Sequence, residues 1–253
     1  MPDFENANIL ITGAASGIGA ATATKLASEG AKKLILVDLD EDKLRDFAFS
    51  LPCERQVLIG DVADEQFWAG ADLTGLTHAL VNAGIGAGGA IEDLPFAEWR
   101  RVLSINLDGA FLTLQAAMRA IRATGTGGGI VLTASAAGVK AETGIAAYGA
   151  SKAAVIHLAR IAAKEGAAGN IRVNAIAPGG VETDIWKGVS FFTDLVAQTG
   201  SEEAAYKAMA AMATPLGRYA KAEEIAEQIA FLLSERAAYT TGACLVSDGG
   251  YSL

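Results

Sequence analysis

The chain has 253 residues, 51% of them hydrophobic and 19% charged, and 29 acidic against 20 basic side chains give a net charge of −9. This composition excludes a disordered tail, and the negative charge argues against nucleic-acid binding, because such binders need a cationic surface to displace counterions from phosphates. The two cysteines, Cys53 and Cys244, are too few and too far apart for a disulfide framework or a zinc knuckle.

The N-terminal residues are polar and acidic, without the basic start and apolar core of a signal peptide. No apolar stretch reaches the ~20 uninterrupted residues that a membrane span requires. We therefore expect one cytoplasmic domain over residues 1–253, with no membrane segment.

Short apolar runs alternate along the chain with longer segments of helical spacing. The runs are continuous rather than alternating, which is typical of parallel strands buried on both faces. The candidate strands are residues 8–12, 33–38, 56–62, 78–84, 129–135, 171–178 and 243–248. The candidate helices are residues 17–30, 40–50, 96–124, 147–168 and 221–235. This order predicts an α/β fold: a single-domain, Rossmann-type, doubly wound parallel sheet of about seven strands with helices on both faces.

A long excursion separates the sixth candidate strand from the last helix at about residues 184–215, here called the insert. It carries the bulky apolar side chains Trp186, Phe191, Phe192, Met209 and Met212. An insertion of this length in a compact domain is often a lid, and we expect a substrate lid here. The alternative is a pair of helices that pack passively on the sheet.

The first candidate strand leads into a glycine turn, residues 12–19, followed by an alanine-rich helix. Gly13, Gly17 and Gly19 permit a tight turn with close backbone approach, and the helix N-terminus offers free N–H groups to a pyrophosphate. In a chain with 29 glycines the spacing alone is weak evidence. Its position between a strand and a helix favours a dinucleotide site over a plain tight turn.

Asp38 ends the second candidate strand, 19 residues after Gly19. An acidic residue about 20 residues after the glycine motif binds the ribose hydroxyls of NAD. A carboxylate there repels the 2′-phosphate of NADP by up to about 4 kcal/mol for unit charges ~4 Å apart, before salt screening. No Arg or Lys in residues 14–16 or next to Asp38 offsets this repulsion. We expect NAD as the cofactor, although Asp38 can alternatively serve as a helix cap.

Tyr148 and Lys152 are spaced to share one helix face, and a nearby cation favours the phenolate. Lowering the pKa of Tyr148 from ~10 to near 7 requires about 4 kcal/mol, for which Lys152 and a positive nicotinamide ring are the candidate sources. Ser135 ends the fifth candidate strand, so its hydroxyl emerges at the same sheet edge and can donate to a substrate oxygen. Asn106 lies inside a candidate helix, where asparagine is unfavourable unless its side chain has a role.

At these residues the sequence resembles the short-chain dehydrogenase/reductase family, over nearly the whole chain. The glycine turn matches the family's glycine motif, and residues 61–62 match its adenine-contacting pair. Asn106, Ser135, Tyr148 and Lys152 match its catalytic tetrad, and the turn over residues 178–183 matches its nicotinamide-binding turn. The cofactor-binding residues that the resemblance implies are Gly13, Ser16, Gly17, Ile18, Gly19, Asp38, Leu39, Asp61, Val62, Asn82, Ala83, Gly84, Tyr148, Lys152, Pro178, Gly179, Val181 and Thr183.

The resemblance implies hydride transfer between NAD and an alcohol or ketone. Tyr148 is expected to exchange the hydroxyl proton, and Lys152 to hold the ribose hydroxyls and depress the Tyr148 pKa. Ser135 is expected to steady the substrate oxygen, and Asn106 to anchor a water relay behind Lys152. No metal is expected.

The residues expected around the substrate are small or apolar: Ala136, Ala137, Gly138, the loop after Gly84 and the insert. Lys140, Glu142 and Lys187 can also reach the pocket. A hydrophobic secondary alcohol or ketone, cyclic or steroid-like, is therefore the expected substrate. The resemblance also implies a homotetramer, with residues 248–253 resembling tails that pack at subunit contacts.

Two other functions remain open from the sequence. One is an NADPH-dependent carbonyl reductase, against which Asp38 argues. The other is a non-catalytic NAD-binding regulatory protein on the same fold, since a fold by itself does not establish an activity.

Overall fold

The computed structural model describes residues 3–253, and a parallel β-sheet forms its centre. The strands are β1 Asn8–Thr12, β2 Lys33–Asp38, β3 Glu54–Ile59, β4 His78–Val81, β5 Gly128–Thr133, β6 Ile171–Pro178 and β7 Cys244–Ser247. They form one seven-stranded sheet in the order β3-β2-β1-β4-β5-β6-β7. The predicted fold class, a doubly wound parallel sheet in a single domain, is confirmed.

Nine α-helices connect the described strands or follow them. They are α1 Gly17–Ser28, α2 Glu41–Phe49, α3 Glu65–Gly70, α4 Phe96–Leu103, α5 Gly109–Thr124, α6 Ala146–Gly166, α7 Ser190–Thr199, α8 Glu202–Ala213 and α9 Ala222–Leu233. The single helix expected over 96–124 is divided into α4 and α5 by a π-helical turn, Ser104–Asp108. None of the helices in the described part of the chain is long and apolar enough to cross a membrane.

Both faces of the sheet are buried, because successive strand side chains alternate between two hydrophobic clusters. Leu10, Ile35 and Ile130 face one cluster, which α3, α5 and α6 complete. Ile9 and Leu34 face the other, which α1, α2 and α9 complete. Continuous apolar runs in the sequence follow from this two-sided burial.

Some strands end earlier than the sequence predicts. β3 ends at Ile59 rather than at residue 62, β4 at Val81 rather than at 84, and β5 at Thr133 rather than at 135. The physical reason is that ladder pairing stops there: the last pairs are Asp38 with Ile59 and Val81 with Leu132. The candidate site residues after these strands therefore lie in loops at the carboxyl edge of the sheet.

The insert consists of a 3₁₀ turn, Asp184–Gly188, followed by α7 and α8. It has its own small core, in which Phe192, Tyr206 and Met209 are buried and Trp186 packs against them. The Trp186 Nε1–H donates to the Val181 carbonyl at 2.8 Å, which attaches the insert to the end of β6.

Candidate functional site

The turn between β1 and α1 is shaped by its glycines. Gly13 and Gly17 have φ angles of 65° and 53°, which residues with a Cβ rarely adopt. A Cβ at residue 19 would lie 2.0 Å from the Gly13 carbonyl oxygen, so α1 begins in direct contact with the strand end. Ser16 is the N-cap but makes no side-chain capping bond. The first amides of α1, including that of Ile18, are therefore left for an outside acceptor, and a pyrophosphate fits this cradle.

The end of β4 is tied to the glycine turn by Thr12. Its Oγ1 accepts from the N–H groups of Asn82 at 2.9 Å and Ala83 at 3.1 Å. The Asn82 Nδ2 in turn donates to the Thr12 carbonyl at 3.1 Å. A Cβ at Gly84 would lie 3.3 Å from Lys152 Nζ. Residues 82–84 therefore pass between the glycine turn and Lys152.

Asp38 ends β2 with its carboxylate turned toward the glycine turn. Its Oδ2 accepts from the Ala15 N–H at 2.9 Å, and its Oδ1 accepts from the N–H groups of Leu39 at 2.8 Å and Asp40 at 3.2 Å. The alternative role of Asp38 as a helix cap is not observed, because Asp40 caps α2 by accepting from the Lys43 N–H at 3.0 Å. A carboxylate has about four acceptor positions, so Asp38 can still accept a ribose hydroxyl.

Leu39, Asp61 and Val62 differ in how they can meet a dinucleotide. Leu39 is 64% exposed beside Asp38. Asp61 is also exposed, and its Oδ1 accepts from the Ala63 N–H at 2.8 Å. Val62 is buried, and a Cβ at Gly109 would lie 2.6 Å from its Cγ2. The Val62 side chain thus belongs to the core, which leaves its main chain as the part that can face a ligand.

Close packing between the 3₁₀ turn Ala136–Gly138 and α6 brings Ser135 beside Tyr148. A Cβ at Gly138 would lie 2.6 Å from the main-chain carbon of Lys152, so a larger residue does not fit there. The Ser135 side chain lies close enough to the Tyr148 hydroxyl to lower its pKa, and its Oγ accepts from the Ala137 N–H at 3.2 Å.

The pKa of the Tyr148 phenol is raised by burial, and Ser135 lowers it by a smaller amount. The physical reason is desolvation, which disfavours the phenolate and which residue spacing cannot reveal. The groups of the protein alone therefore keep the phenol protonated. The expected lowering of this pKa by Lys152 together with a positive nicotinamide ring stays a prediction.

Lys152 lies one helical turn after Tyr148 and is 4% exposed. Its Nζ donates to the Thr133 carbonyl at 2.9 Å and lies 5.8 Å from the centroid of the Tyr148 ring. Burial lowers the pKa of Lys152 to about 8. The Lys152 amino group therefore lies near the Tyr148 ring, but its burial weakens its preference for the charged form.

Asn106 lies in the π-helical turn and braces the loop after β4. Its Oδ1 accepts from the Ile85 N–H at 2.8 Å, and its Nδ2 donates to the Ile85 carbonyl at 3.0 Å and to Ser151 Oγ at 3.3 Å. The side chain thus joins the loop after β4 to α6, and its expected role in a water relay behind Lys152 stays a prediction. Ser151 was not identified from the sequence. It lies three residues after Tyr148 on the same face of α6, and this spacing could have pointed to it.

The 178–183 turn follows β6 and lies beside the glycine turn. The Gly179 N–H donates to the carbonyl of Ser247 in β7 at 3.0 Å, and Val181 is buried. A Cβ at Gly17 would lie 3.2 Å from Thr183 Cγ2. The end of the 178–183 turn therefore contacts the start of α1. Tyr148 and Lys152 lie at the same edge of the sheet.

An ion pair that the sequence did not predict spans this edge. Lys43 on α2 lies 2.9 Å from Asp184, 141 residues later at the start of the insert. Asp184 also pairs with Lys187 at 2.9 Å, and Lys187 lies 3.4 Å from Glu202. The side chains of Lys43 and Asp184 are 46% and 48% exposed. Hydrogen bonds from both lysines lower the pKa of Asp184.

The C-terminal turn after β7 packs on its own chain. Lys140, in the loop between β5 and α6, donates to the Tyr251 carbonyl at 2.9 Å and lies 4.3 Å from the centroid of its ring. Asp248 accepts from the N–H groups of Gly250 at 2.9 Å and Ser252 at 2.8 Å. The tail thus lies against the loop between β5 and α6, and its expected role at subunit contacts stays a prediction.

Neither histidine belongs to a metal cluster, since no three His, Cys, Asp or Glu side chains are grouped as ligands within residues 3–253. His78 packs edge-on against Phe4, with ring centroids 5.7 Å apart, and its Nδ1 lies 2.8 Å from Thr77 Oγ1. Burial, with a smaller contribution from Arg172, lowers the pKa of His78 to about 4.

The fold and the site place the chain in a known family. Residues 13–252 match a family model described as enoyl-(acyl carrier protein) reductase. The crystal structure of a short-chain type dehydrogenase/reductase from Mycobacterium marinum is similar with a TM-score of 0.87, at 33% identity over 99% of this chain and 97% of that one. The chain belongs to the short-chain dehydrogenase/reductase family. It is accordingly an oxidoreductase, and membership implies a nicotinamide cofactor.

Two curated relatives are similar over almost their full length. Cis-4-hydroxycyclohexanecarboxylate dehydrogenase from Sinomonas cyclohexanicum is 38% identical, covering 96% of this chain and 95% of that protein. Cyclohexanol dehydrogenase from an Acinetobacter species (strain SE19) is 36% identical, covering 98% of this chain and 96% of that protein. Both names specify a dehydrogenase of a hydroxylated cyclohexane.

Proposed function

We propose that this protein is an NAD-dependent dehydrogenase that interconverts a hydrophobic cyclic secondary alcohol and its ketone. The observation that carries the proposal is the grouping of Tyr148 with Ser135, whose side chain lowers the Tyr148 pKa, and with Lys152, whose Nζ lies 5.8 Å from the centroid of the Tyr148 ring. An acid–base hydroxyl, a second hydroxyl and a cation thus meet beside the glycine turn. Such a grouping suits proton exchange with an alcohol whose carbon loses a hydride.

The residues of this chain fit a dinucleotide. The uncapped N-terminus of α1 would hold the pyrophosphate, and Asp38 would accept the adenosine ribose hydroxyls. Lys152 would bond the nicotinamide ribose, and Thr183 the carboxamide. The choice of NAD over NADP rests on the Asp38 carboxylate and on Leu39, which places an aliphatic side chain where a cation would be needed to pair with a 2′-phosphate.

Bound NAD supplies the hydride acceptor and a positively charged ring. Tyr148 takes the proton of the substrate hydroxyl as the hydride leaves the carbinol carbon, and in ketone reduction it returns that proton to the oxygen. Ser135 donates to the substrate oxygen and holds it in line with the Tyr148 hydroxyl. Because burial raises the pKa of Tyr148, oxidation should accelerate as pH increases toward the value at which the phenol ionises.

The substrate class is supported by the apolar contact between the loop after β4 and the insert, and by the two relatives. The loop after β4 approaches the insert: a Cβ at Gly86 would lie 3.6 Å from Ile185 and 3.8 Å from Val189. These apolar side chains suit a hydrocarbon ring, and both relatives are named for a hydroxylated cyclohexane. The insert is thereby proposed to act as the substrate lid.

The test is an NADH absorbance assay with cyclohexanol and related secondary alcohols, each with NAD and with NADP. We expect turnover with NAD, and a loss of about 10²- to 10⁴-fold in kcat in Tyr148→Phe while NADH binding, followed by fluorescence, is retained. Full activity in Tyr148→Phe would refute the mechanism. Turnover with NADP alone would favour the carbonyl reductase, and binding without turnover on any alcohol would favour the regulatory protein.

We further propose a homotetramer. Ile91, Phe96 and Phe111 are exposed on and before α4 and α5, and Val246 is exposed on the edge strand β7. Large exposed apolar side chains in proximity mark association surfaces. Light scattering after size exclusion tests this: Phe96→Asp should reduce the assembly, whereas Phe49→Asp, an equally exposed control on α2, should not.

A further inference from the structure

The loop after β4, residues 84–89, has glycine at four of its six positions, and it starts beside Lys152. A Cβ at Gly84 would lie 3.3 Å from Lys152 Nζ. Asn106 then bonds the N–H of Ile85 at 2.8 Å and its carbonyl at 3.0 Å. The start of this loop is therefore fixed next to the lysine of the site.

The other end of the loop is joined to the residues just before α6. The Gly89 N–H donates to the Gly144 carbonyl at 2.7 Å, and Gly89 forms an isolated parallel bridge with Ile145. The φ angles are 153° at Gly89 and 77° at Gly144, which residues with a Cβ rarely adopt. This main-chain contact, here called the bridge, therefore depends on glycine on both sides.

The helix α6 begins directly after the bridge, and Tyr148 is its third residue. The N-cap, Ile145, makes no side-chain capping bond, and the first four N–H groups of a helix have no acceptor inside it. Because helix ends fray, the turn that carries Tyr148 depends on contacts from outside the helix. One is the bridge. The other is the Ala137 carbonyl on the opposite side, which would lie 3.2 Å from a Cβ at Gly149.

We propose that Gly89 and Gly144 are positioning residues, whose bridge holds the first turn of α6 and with it the Tyr148 hydroxyl. This assignment rests on the proposed dehydrogenase function and identifies what aligns its acid–base group. Lys152 is held separately, since its Nζ donates to the Thr133 carbonyl at 2.9 Å. Without the bridge, Tyr148 should move relative to Lys152, and a displacement of about 1 Å can reduce the rate by about 10²-fold.

Gly144→Ala is the first variant, because its methyl group meets nothing within 4 Å while its φ of 77° is unfavourable for alanine. With cyclohexanol and NAD, kcat should fall by about 10- to 100-fold. The KM for the alcohol and the Kd for NADH should stay within about 3-fold, because the alignment of Tyr148 contributes to the transition state and not to binding.

Two further variants act on the bridge in different ways. Gly89→Pro removes the N–H that donates to Gly144, so the bridge cannot form, and kcat should fall at least as far as in Gly144→Ala. Gly88→Ala is milder, since the φ of Gly88 is not positive. Its methyl group would lie 3.3 Å from the Gly144 oxygen and press on this acceptor, so kcat should fall by a smaller factor.

Gly125→Ala is the matched control for Gly144→Ala. Gly125 has a φ of 71°, a Cβ there meets nothing within 4 Å, and the residue follows α5 rather than preceding α6. The two variants therefore carry the same backbone strain. Gly125→Ala should lose a similar amount of stability and keep the wild-type kcat.

Amide hydrogen exchange, followed by mass spectrometry, measures the opening of α6 without any substrate. Peptides from residues 145–150 should exchange faster in Gly144→Ala and in Gly89→Pro than in the wild type. Peptides from residues 155–166 of the same helix should not change. In Gly125→Ala both sets of peptides should exchange as in the wild type.

A wild-type kcat in Gly89→Pro would overturn the assignment, and so would faster exchange over residues 145–150 without a loss of kcat. An equal loss of kcat in Gly125→Ala would also overturn it, since strain alone would then explain the effect. A wild type that oxidises no alcohol with either dinucleotide would overturn the proposed function and with it this assignment, whereas the exchange rates would still show whether the bridge holds α6.

Discussion

Asp38 provides a direct test of cofactor choice. Asp38→Asn removes the negative charge and keeps a side-chain oxygen that can accept from the Ala15 or Leu39 N–H. At ~4 Å and an effective dielectric of ~20, one unit-charge repulsion is worth up to about 4 kcal/mol, and physiological salt reduces it. Since 1.4 kcal/mol corresponds to tenfold, removing a repulsion of about 1.5 to 3 kcal/mol should raise the NADP-to-NAD ratio of kcat/KM by about 10- to 100-fold.

The assay is initial-rate kinetics of the same alcohol with each dinucleotide. Asp40→Asn is the matched control: Asp40 lies two residues away and caps α2, and asparagine caps helices as well as aspartate does. Its ratio should equal that of the wild type. High salt should also reduce the wild-type preference for NAD over NADP, because salt screens the repulsion between the Asp38 carboxylate and the 2′-phosphate. An unchanged ratio in Asp38→Asn, or an equal shift in Asp40→Asn, would contradict the electrostatic explanation.

Two further outcomes follow from the backbone and the core. Gly19→Ala places a methyl group 2.0 Å from the Gly13 carbonyl oxygen, and it should weaken NADH binding at least about 10-fold in a fluorescence titration. Gly70→Ala is the control, because its methyl group meets nothing within 4 Å, and this variant should bind NADH normally. Burial lowers the pKa of His78 from 6.5 to about 4, so as the pH falls His78 is protonated in the unfolded chain before it is protonated in the folded one. The contribution of neutral His78 to the free energy of unfolding is therefore complete above pH 6.5 and is lost toward pH 4. The loss in the free energy of unfolding, measured by urea denaturation, should reach about 3 kcal/mol. An equally steep dependence of stability on pH in His78→Phe would refute this explanation.

Much of the fold was predictable because it rests on local patterns. The strands β1, β2 and β6 end where the apolar runs end, since burial on both faces makes most positions inside a strand apolar. The sequence missed α3, which spans only six residues, too few for a helical period to show. It also could not show the π-helical turn at Asn106, because a single extra residue in a helical turn leaves the apolar spacing on either side intact.

In the site, most of the residues that the sequence singled out follow the ends of the parallel strands, and their roles stay predictions. The sequence could not predict how their environment changes them. Burial sets the direction of the Tyr148 pKa, and burial is a property of packing and not of spacing. The contact of Tyr219 with Gly180 and the pairing of Lys43 with Asp184 join distant segments, which a single sequence does not associate.

The pairing of Lys43 with Asp184 is a polar contact that joins α2 to the start of the insert. A half-exposed ion pair contributes only about 0.2 to 1 kcal/mol, so this contact by itself favours the joined arrangement by no more than about fivefold. Raising the ionic strength should therefore weaken this contact between α2 and the insert, while the uncharged contacts between neighbouring segments are not screened.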